Sequence, residues 1–492
     1  MVVDEININL KKRNILVLVL VMMFIVLVLP TVFRFYGGNS SLIGAESYYH
    51  FRASRELVKE GAVNFFDTPD SVSDMSYSQR YYSFNPYHYM LVYASRVVSL
   101  ATASRIVPFL LGVLSVMLFN LILRRFVDER YKRHIILLLL VMSPAFIYTF
   151  TISNPHAAAI ALSLLGFYLF LQDKRYYLVL SALCFAVVSL FSLFNALMVI
   201  MLLLAIVLTE KRLQNRFIII VFVLAIFSLA RRAAFYYNYT YTSHANIVGN
   251  LFSDLGGIIG FGIFSIVLAV YGVSSNWKLK KDFIYFFVIS ILLIASLFLV
   301  GNVANMYLMF FVAVAAGLGF VKLYELKWNV LTVKNLTLLI LVCGILFSTA
   351  SYLTRPGAME PSREVFDGLE WMGSHTFKDG FVLSHYSNGY LISGIARNPV
   401  LSDAFSASDY DQRFFYKVQD SMFYSRKIST AKQLFSVYNI KYIYITPEMK
   451  DGLVWSRPDE GLLFLLSSPS TFRKIYDENG IEIWEVIDTT VN

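Results

Sequence analysis

Long runs of apolar residues recur along almost the whole chain. Eleven of them are predicted to cross a membrane, because a helix needs about 20 apolar residues to span the hydrocarbon layer. They cover residues 14–34, 104–123, 135–152, 156–171, 177–192, 195–209, 217–235, 257–273, 283–300, 303–321 and 335–354. With 57% hydrophobic and 15% charged residues, the sequence differs from soluble and from disordered chains. It predicts a polytopic α-helical membrane protein with about 11 transmembrane helices.

Lysine and arginine residues cluster in alternate loops between the predicted spans. The clusters lie at residues 11–13, 124–133, 174–175, 211–216, 278–281 and 322–334, and the intervening short loops are nearly free of them. Cytoplasmic loops of membrane proteins are enriched in basic residues. The pattern therefore predicts an integral membrane protein with a cytoplasmic N-terminus and an extracytoplasmic C-terminal region. These loops account for the net charge of +9, so we expect no nucleic acid partner.

Two long segments lie outside the predicted spans. Residues 37–103 form a long first outer loop, and its part from Tyr87 to Leu100 is predicted to lie along the membrane surface. Residues 355–492 predict an extracytoplasmic α/β domain, with strands at 380–384, 440–446 and 481–486 and helices at 363–372 and 430–437. The predicted division is a transmembrane domain over 1–354 and a soluble domain over 355–492.

Carboxylates are absent from the middle of every predicted span, which argues against ion-coupled transport. Acid–base chemistry is therefore expected on the outer face. Glu46 follows the first span by only a few residues, within Gly44-Ala45-Glu46-Ser47-Tyr48-Tyr49-His50-Phe51-Arg52. Its carboxylate is predicted to lie at the membrane surface, within reach of the headgroup of a lipid-linked substrate. The alternative is a solvated loop carboxylate that pairs with Arg52.

The order of these segments resembles the GT-C glycosyltransferases. The closest resemblance is to the catalytic subunit of oligosaccharyltransferase in its single-subunit archaeal form. It rests on the acidic-x-Tyr-Tyr-His-x-Arg stretch at residues 46–52, with one span before it and many spans and an α/β tail after it. Shorter matches occur at residues 85–87, 106–114, 254–257, 368–371, 381–384 and 438–445. That family moves a glycan from a polyprenyl-phosphate or -pyrophosphate carrier to asparagine on the outer face.

Several motifs of that family are changed in this sequence. The first acidic position holds Glu46 where the family usually has Asp. The second acidic motif corresponds to Ser153-Asn154-Pro155-His156, which has no carboxylate, and residues 242–246 of the next outer loop also lack an acid. The family's Trp-Trp-Asp-Tyr-Gly motif, which binds the sequon hydroxyl, corresponds to His385-Tyr386-Ser387-Asn388-Gly389. We therefore expect the fold to be retained and transfer to asparagine to be lost.

The resemblance implies a site built around Glu46, as general base or metal ligand. His156 would be a weak second ligand, and Mg²⁺ or Mn²⁺ is the implied cofactor, with Mn²⁺ more tolerant of histidine. The implied substrate-binding residues are Tyr48, Tyr49, His50, Arg52, Asn154, His156, Arg232, His385, Tyr386 and Asn388. The implied partners are a lipid-linked polyprenyl or dolichyl phosphate sugar donor, an acceptor protein or glycan, and the lipid bilayer. Each residue also has a purely structural interpretation, as part of a loop or a helix end.

Three functions follow from these observations. The first is a membrane glycosyltransferase that uses a polyprenyl-phosphate-linked donor and a hydroxyl acceptor, because one general base can deprotonate a positioned hydroxyl. The second is a non-catalytic relative of oligosaccharyltransferase that acts as a binding or assembly partner, which the missing acids favour. The third is a transporter of lipid-linked sugars, which fits the spans but not the absence of polar groups within them.

Overall fold

A computed structural model describes residues 12–60, 85–209, 211–234, 251–276, 302–404 and 413–487. The predicted span at 283–300 and the loop residues 242–246 lie outside the described residues. The membrane part consists of helices, and the C-terminal part combines helices with one sheet.

The apolar runs form helices because their side chains cannot satisfy backbone polar groups in hydrocarbon, whereas a helix satisfies its own. The first nine helices are α1 (Lys12–Tyr36), α2 (Ala45–Glu60), α3 (Pro86–Ala94), α4 (Leu100–Phe126), α5 (Arg130–Val141), α6 (Pro144–Thr151), α7 (Pro155–Phe170), α8 (Arg175–Phe191) and α9 (Leu193–Thr209). They are followed by α10 (Gln214–Ala234), α11 (Ile263–Asn276), α12 (Asn302–Glu325) and α13 (Leu331–Ala358).

Four of the described helices, α1, α4, α12 and α13, are long and apolar enough to cross a membrane, and the bent pair α5–α6 would make a fifth span. Shorter apolar helices occupy the other predicted spans within the described residues. The chain is therefore an integral membrane protein with a helical bundle, while these helices alone do not establish a count of eleven spans.

Two predicted spans differ from the structure in shape. The span at 135–152 is broken into α5 and α6, which meet at an angle of 64°. Pro144 begins α6 and cannot continue the preceding helix. The span at 257–273 begins only at Ile263, because Gly256 adopts a φ of +101° and residues 257–262 are not helical. Asp254 accepts the backbone N–H of Ile263 at 2.7 Å, which caps the start of α11.

The segment from Tyr87 to Leu100 is predicted to lie along the membrane surface. It forms the short helix α3, which ends at Ala94, and Leu100 already belongs to α4. Tyr87, His88 and Leu91 are buried, and the helix packs against α2 and α4. This helix therefore belongs to the packed interior of the first loop, and only its other side, with Tyr93 exposed, faces outward.

The C-terminal part contains a four-stranded mixed sheet. The strands β1 (Phe381–Leu383), β2 (Ile440–Ile445), β3 (Phe472–Glu478) and β4 (Ile481–Val486) lie in the order β1-β2-β4-β3, with β1 parallel to β2 and the other neighbours antiparallel. Helices α14 (Arg363–His375), α15 (Arg413–Phe423), α16 (Ile428–Val437) and α17 (Leu462–Leu465) surround it. The three predicted strands and two predicted helices are present, and β3 is an additional strand.

Alternate residues of the strands face two separate apolar clusters, as the two-residue period of a strand requires. Phe381 and Leu383 join one cluster with α16, whereas Val382 joins the other with α14. The second cluster also contains Leu42 and Tyr48 from the first loop. The first loop and the C-terminal part therefore share a hydrophobic core, which fixes α2 relative to the sheet.

Candidate active site

Glu46 lies in the first turn of α2, where the chain leaves the first membrane helix. Gly44 has a φ of +79°, a conformation that favours glycine, and its carbonyl accepts the backbone N–H of Ser47 at 3.1 Å. The resulting turn places Oε1 of Glu46 3.9 Å from Nε2 of His50, one helical turn later. The Glu46 side chain is 42% accessible, whereas His50 is buried. The structure thus holds a reachable carboxylate against a buried imidazole.

The electrostatics of Glu46 favour its ionised form. Loss of contact with bulk water is the largest single influence and raises the pKa, but the contact with His50 and the charges of His50 and His156 together outweigh it and lower the pKa below its ordinary value. The side chain is thus partly exposed while protein atoms around its carboxylate reduce contact with bulk water, and this region is called the Glu46 cleft below. A carboxylate with this pKa is ionised near neutral pH, which is the state a general base requires.

The turn between α6 and α7 packs directly against α2. Ser153 donates its backbone N–H to Oγ of Ser47 at 3.0 Å, and its hydroxyl lies 2.8 Å from the hydroxyl of Tyr87. Asn154 caps α7, because its Oδ1 accepts the backbone N–H of Ala157 at 3.1 Å. The cap directs the first turn of α7, with His156, to the same region as Glu46, and the charge interaction between these two residues reflects this proximity.

A chain of polar groups leads from His156 into the helical bundle. Nδ1 of His156 lies 3.4 Å from Oδ1 of Asn195 in α9. The hydroxyl of Tyr307 in α12 donates to the same oxygen at 3.3 Å and lies 3.3 Å from the hydroxyl of Ser163. Asn195 is fully buried. This chain brings α7, α9 and α12 together below the Glu46 cleft.

An apolar groove begins where that chain ends. Tyr307 and Ser163 are its polar lining residues. The apolar lining comes from α4, α7, α9 and α12, and includes Phe119, Leu123, Ile160, Phe167, Leu202 and Phe310. The groove can accommodate a flexible hydrocarbon chain, because it is walled by apolar side chains and carries polar groups only near the site.

Two residues of the motif, Tyr48 and Arg52, have partners other than Glu46. The hydroxyl of Tyr48 accepts the backbone N–H of Leu42 at 2.9 Å, and its ring is buried in the shared core. Arg52 is buried, and its Nε lies 3.3 Å from Oε1 of Glu56. The solvated ion pair between Glu46 and Arg52 that the sequence offers as an alternative is therefore not the pairing seen here: Arg52 pairs with Glu56.

The residues predicted at the tail motif lie at the end of β1. Nδ1 of His385 is 2.8 Å from Oγ of Ser387, and burial lowers the pKa of His385 to about 4. Asn388 is buried and donates to Oγ of Ser384 at 3.0 Å. The ring of Tyr386 lies 5.4 Å from that of Tyr416. These side chains are engaged within the C-terminal part, and the structure does not bring them into contact with Glu46.

The structure brings together Glu46, Tyr49, His50, Asn154 and His156 of the predicted site. Arg232 lies in α10, and its side chain is outside the described part of the chain. Sequence reasoning did not include four further residues that build the region, namely His88, Asn195, Tyr307 and Tyr390. Asn195 and Tyr307 carried a usable signal, since each is a polar residue within an apolar run. His88 and Tyr390 carried none, because they lie outside the apolar runs, where polar side chains are common.

The donor atoms around Glu46 fit a divalent metal poorly. Mg²⁺ prefers several hard oxygen ligands, whereas the titratable neighbours that act on Glu46 are the imidazoles of His50 and His156. Oδ1 of Asn154 is engaged in capping α7, and Nδ1 of His156 faces Asn195. Within the described ranges, no three His, Cys, Asp or Glu side chains converge. We therefore derive no catalytic step through a metal ion.

Solved structures provide the comparisons that are informative for this chain. No protein-family profile matches the sequence, and no curated protein sequence matches it. The oligosaccharyltransferase AglB from Archaeoglobus fulgidus, solved with an inhibitory peptide and a dolichol-phosphate, is similar with a TM-score of 0.63 at 13% identity, over 88% of this chain and 70% of that one. A structure of the same enzyme with Zn and sulfate gives a TM-score of 0.63 at 16% identity, over 87% and 68%.

ArnT from Cupriavidus metallidurans, solved with undecaprenyl phosphate, is similar over nearly its whole length. The TM-score is 0.60 at 11% identity, and the match covers 96% of this chain and 98% of ArnT. Both neighbours are membrane glycosyltransferases, and identities this low show the fold and not the activity. The resemblance predicted from the first-loop motif is confirmed at that level: the chain has the GT-C fold, with an architecture like that of the archaeal oligosaccharyltransferase.

Proposed function

We propose that this chain is a membrane glycosyltransferase that transfers a sugar from a polyprenyl-phosphate-linked donor to a hydroxyl acceptor. The observation that carries the proposal is the position of Glu46. Its ionised carboxylate is partly exposed, and the polar chain from His156 to Tyr307 connects that region with an apolar groove. The two substrates of such a reaction, a lipid-linked sugar and a polar acceptor, would meet at this junction.

Glu46 would act as the general base. The acceptor O–H bond breaks and its proton passes to the Glu46 carboxylate, while the acceptor oxygen forms a bond to the anomeric carbon of the sugar. The bond from that carbon to the carrier oxygen breaks, and its electron pair leaves with the lipid phosphate. One carboxylate is sufficient for this step because a hydroxyl is a much better nucleophile than an asparagine amide.

The lipid chain of the donor would lie in the apolar groove between α4, α7, α9 and α12. The carrier phosphate would then lie near His156, whose Nδ1 faces the amide oxygen of Asn195, so that only the imidazolium form would also donate a hydrogen bond from Nε2 to a phosphate oxygen. We propose Arg232, near the outer end of α10, as the second phosphate contact, because guanidinium groups bind phosphate in a bidentate manner. Tyr49 and His50 would contact the sugar or the acceptor from α2.

The acceptor is proposed to be a glycan or lipid hydroxyl and not an Asn-x-Ser/Thr sequon. Residues 385–389 contain no carboxylate and no indole that could bind a sequon hydroxyl. His385 and Asn388 use their side chains for contacts with Ser387 and Ser384. A charge-assisted hydrogen bond is worth about 1.5–3 kcal/mol. We expect Asn-x-Thr and Asn-x-Ala peptides to bind alike.

The proposed topology follows the basic loops. The N-terminus is cytoplasmic, and the transmembrane domain over 1–354 carries the soluble domain over 355–492 on the outer face. Labelling of a Glu370→Cys variant with a membrane-impermeant reagent, after replacement of Cys184 and Cys343, tests this arrangement. Labelling of intact cells supports it, and labelling only after permeabilisation contradicts it.

The function is tested by donor turnover. The full-length chain is purified, reconstituted in liposomes and incubated with dolichyl and undecaprenyl phosphates that carry radiolabelled hexoses. Glycan, lipid and peptide acceptors are compared by release of free lipid phosphate and by labelled product. Turnover that depends on a hydroxyl acceptor supports the proposal, and a clear preference for the Asn-x-Thr peptide contradicts the acceptor class.

A second function is favoured by the lack of carboxylates at residues 153–156 and 242–246, where the resembling family has acids. A chain that kept the GT-C fold without paired acids would serve as a binding or assembly partner for a catalytically complete oligosaccharyltransferase. In that case no donor turns over in the liposome assay, while the chain is recovered with such an enzyme and raises its activity.

A further inference from the structure

Two buried histidines lie in direct contact beside the Glu46 cleft. Nδ1 of His50 in α2 is 2.9 Å from Nε2 of His88 in α3, although 38 residues separate them in sequence. The two side chains are 5% and 4% exposed. A contact this short between two buried ring nitrogens is a hydrogen bond, since two lone pairs at 2.9 Å would repel each other.

The surrounding side chains fix both rings. Tyr87 lies edge-on to His50 with ring centroids 5.7 Å apart, and Tyr49 contacts His50 at 5.0 Å and His88 at 6.2 Å. The hydroxyl of Ser54 in α2 lies 2.8 Å from the backbone carbonyl of His50 and 3.4 Å from that of His88 in α3. The contact between the histidines is therefore held in place by the packing of α2 against α3.

Few distributions of protons over the ring nitrogens of His50 and His88 are consistent with this hydrogen bond. One proton lies between Nδ1 of His50 and Nε2 of His88. If His88 donates it, His50 is neutral and carries its own proton on Nε2. If His50 donates it, the adjacent ionised carboxylate of Glu46 favours a second proton on Nε2, because a lone pair at that position would face negative charge. In both favoured arrangements the proton on Nε2 of His50 points toward Glu46.

We propose that His88 is a positioning residue for Glu46 and acts through His50. By occupying Nδ1 of His50, His88 holds the tautomer that turns Nε2–H, and not a lone pair, toward Oε1 of Glu46, an electrostatic contact at 3.9 Å. That contact orients the carboxylate and leaves its other oxygen free for the acceptor proton. A base oriented by an imidazole that is itself held by a third group follows the general logic of catalytic triads. The proposal rests on the proposed function of Glu46.

Without His88, Nδ1 of His50 would be unsatisfied in a buried site, and the ring would take whichever tautomer or rotation satisfied it. The tautomer with a lone pair on Nε2 would repel Glu46. We expect the loss in rate to be about 10-fold or more, a part of the 10²–10⁴ that a general base contributes. Acceptor binding should change little, because His88 is buried and lies behind His50.

The test compares His88→Leu, which removes the partner, with His88→Gln, whose side-chain amide can place a polar atom near the position of Nε2. Full-length variants are assayed for transfer, and His375→Leu on the exposed end of α14 is the matched control. We expect kcat to fall about 10-fold or more for His88→Leu with KM unchanged, to recover in His88→Gln, and to stay unchanged in the control. Equal losses for His88→Leu and His88→Gln, or a change confined to KM, would overturn the proposal.

A second readout does not depend on transfer. The protein contains seven histidines, so ¹⁵N-histidine labelling in nanodiscs gives a spectrum that single variants can assign. We expect an N–H···N coupling between His50 and His88, a protonated Nε2 on His50, and a shift of that nitrogen in Glu46→Gln. Absence of the coupling, or an Nε2 signal of His50 that is unchanged in Glu46→Gln, would overturn the positioning role even if transfer is observed. If the couplings are present and no donor turns over, the arrangement stands and the proposed function fails.

Discussion

The ring of Tyr49 lies 5.1 Å from the ring of Tyr390, and this contact joins the helix that carries Glu46 to the C-terminal part. Tyr390 follows β1 in a short helical segment, and the same segment continues to Gly394, where an added Cβ would lie 2.9 Å from Cβ of Tyr48. The guanidinium of Arg55 donates to the carbonyl of Gly394 at 2.8 Å. Contacts of both the first loop and the C-terminal part therefore determine the position of the cleft.

Removal of the Tyr390 ring should loosen this junction. Tyr390→Ala is expected to lower the free energy of unfolding and to raise KM for the acceptor. Loss of the aromatic pair accounts for about 0.5–1.5 kcal/mol of the lost stability. Tyr390→Phe keeps the ring and should behave like the native chain. A double-mutant cycle with Tyr49→Ala, read by thermal unfolding in detergent, measures the pair. Additive effects of the two substitutions would show that the rings are not coupled.

Arg34 connects the end of α1 to the start of the C-terminal part. Its guanidinium is buried and donates to the carbonyls of Met359, at 2.6 Å, and of Pro361, and to the hydroxyl of Ser41. Arg34→Leu would leave these carbonyls unpaired, at a cost of about 3 kcal/mol. The control Arg363→Leu removes an exposed arginine whose ion pair with Asp367 is worth under about 1 kcal/mol. Limited proteolysis near residue 360 should increase only in Arg34→Leu, and equal cleavage of both variants would contradict this role.

Glycines allow α11 and α12 to approach closely. A methyl group on Gly272 would overlap the carbonyl oxygen of Ala315, and one on Gly319 would overlap that of Leu268. Small residues at membrane helix interfaces permit such contacts. Gly319→Ala is expected to destabilise the chain by about 1–3 kcal/mol through overpacking. Gly357→Ala, where the nearest atoms lie at 3.4 and 3.5 Å, should be tolerated. Thermal unfolding in detergent distinguishes the two, and equal stability would contradict the close approach.

His385 makes the stability of the chain depend on pH. Burial lowers its pKa to about 4, against about 6.5 for an exposed histidine, so the unfolded chain binds more protons between these values. The contribution of the neutral His385 side chain to the free energy of unfolding is therefore fully present above about pH 6.5. It decreases as the pH falls and is lost near pH 4. His385→Asn should flatten the melting temperature between pH 6.5 and 4. A pH profile that is identical in the variant would exclude His385 as a cause.

The tail illustrates what the sequence could predict and what it could not. Residues 440–446 and 481–486 are apolar enough to mark β2 and β4, whereas β3 reads Phe-Arg-Lys-Ile-Tyr-Asp-Glu and shows no apolar run. It is an edge strand with exposed charged residues, and edge strands carry charges because one side faces solvent. A strand of this kind is recognised only once its partner is known.

The candidate site shows the same limit. Glu46 could be predicted because it follows the first span immediately, and His156 because it follows the turn before α7. Their partners could not, since the contact between His50 and His88 depends on how α3 folds back against α2. Asn195 and Tyr307 are conspicuous as polar residues in apolar runs, but the sequence does not show that both lie near His156. Pairing across helices is a property of the packed bundle.

The role of Glu46 as general base is tested most directly by the rate of sugar transfer in Glu46→Gln, compared with Glu370→Gln in the same liposomes. Both substitutions replace a carboxylate by an amide of the same shape, but Glu370 lies on the exposed face of α14. We expect kcat to fall by about 100-fold or more in Glu46→Gln, while Glu370→Gln keeps the native rate and both variants remain folded. A native rate in Glu46→Gln would contradict that role.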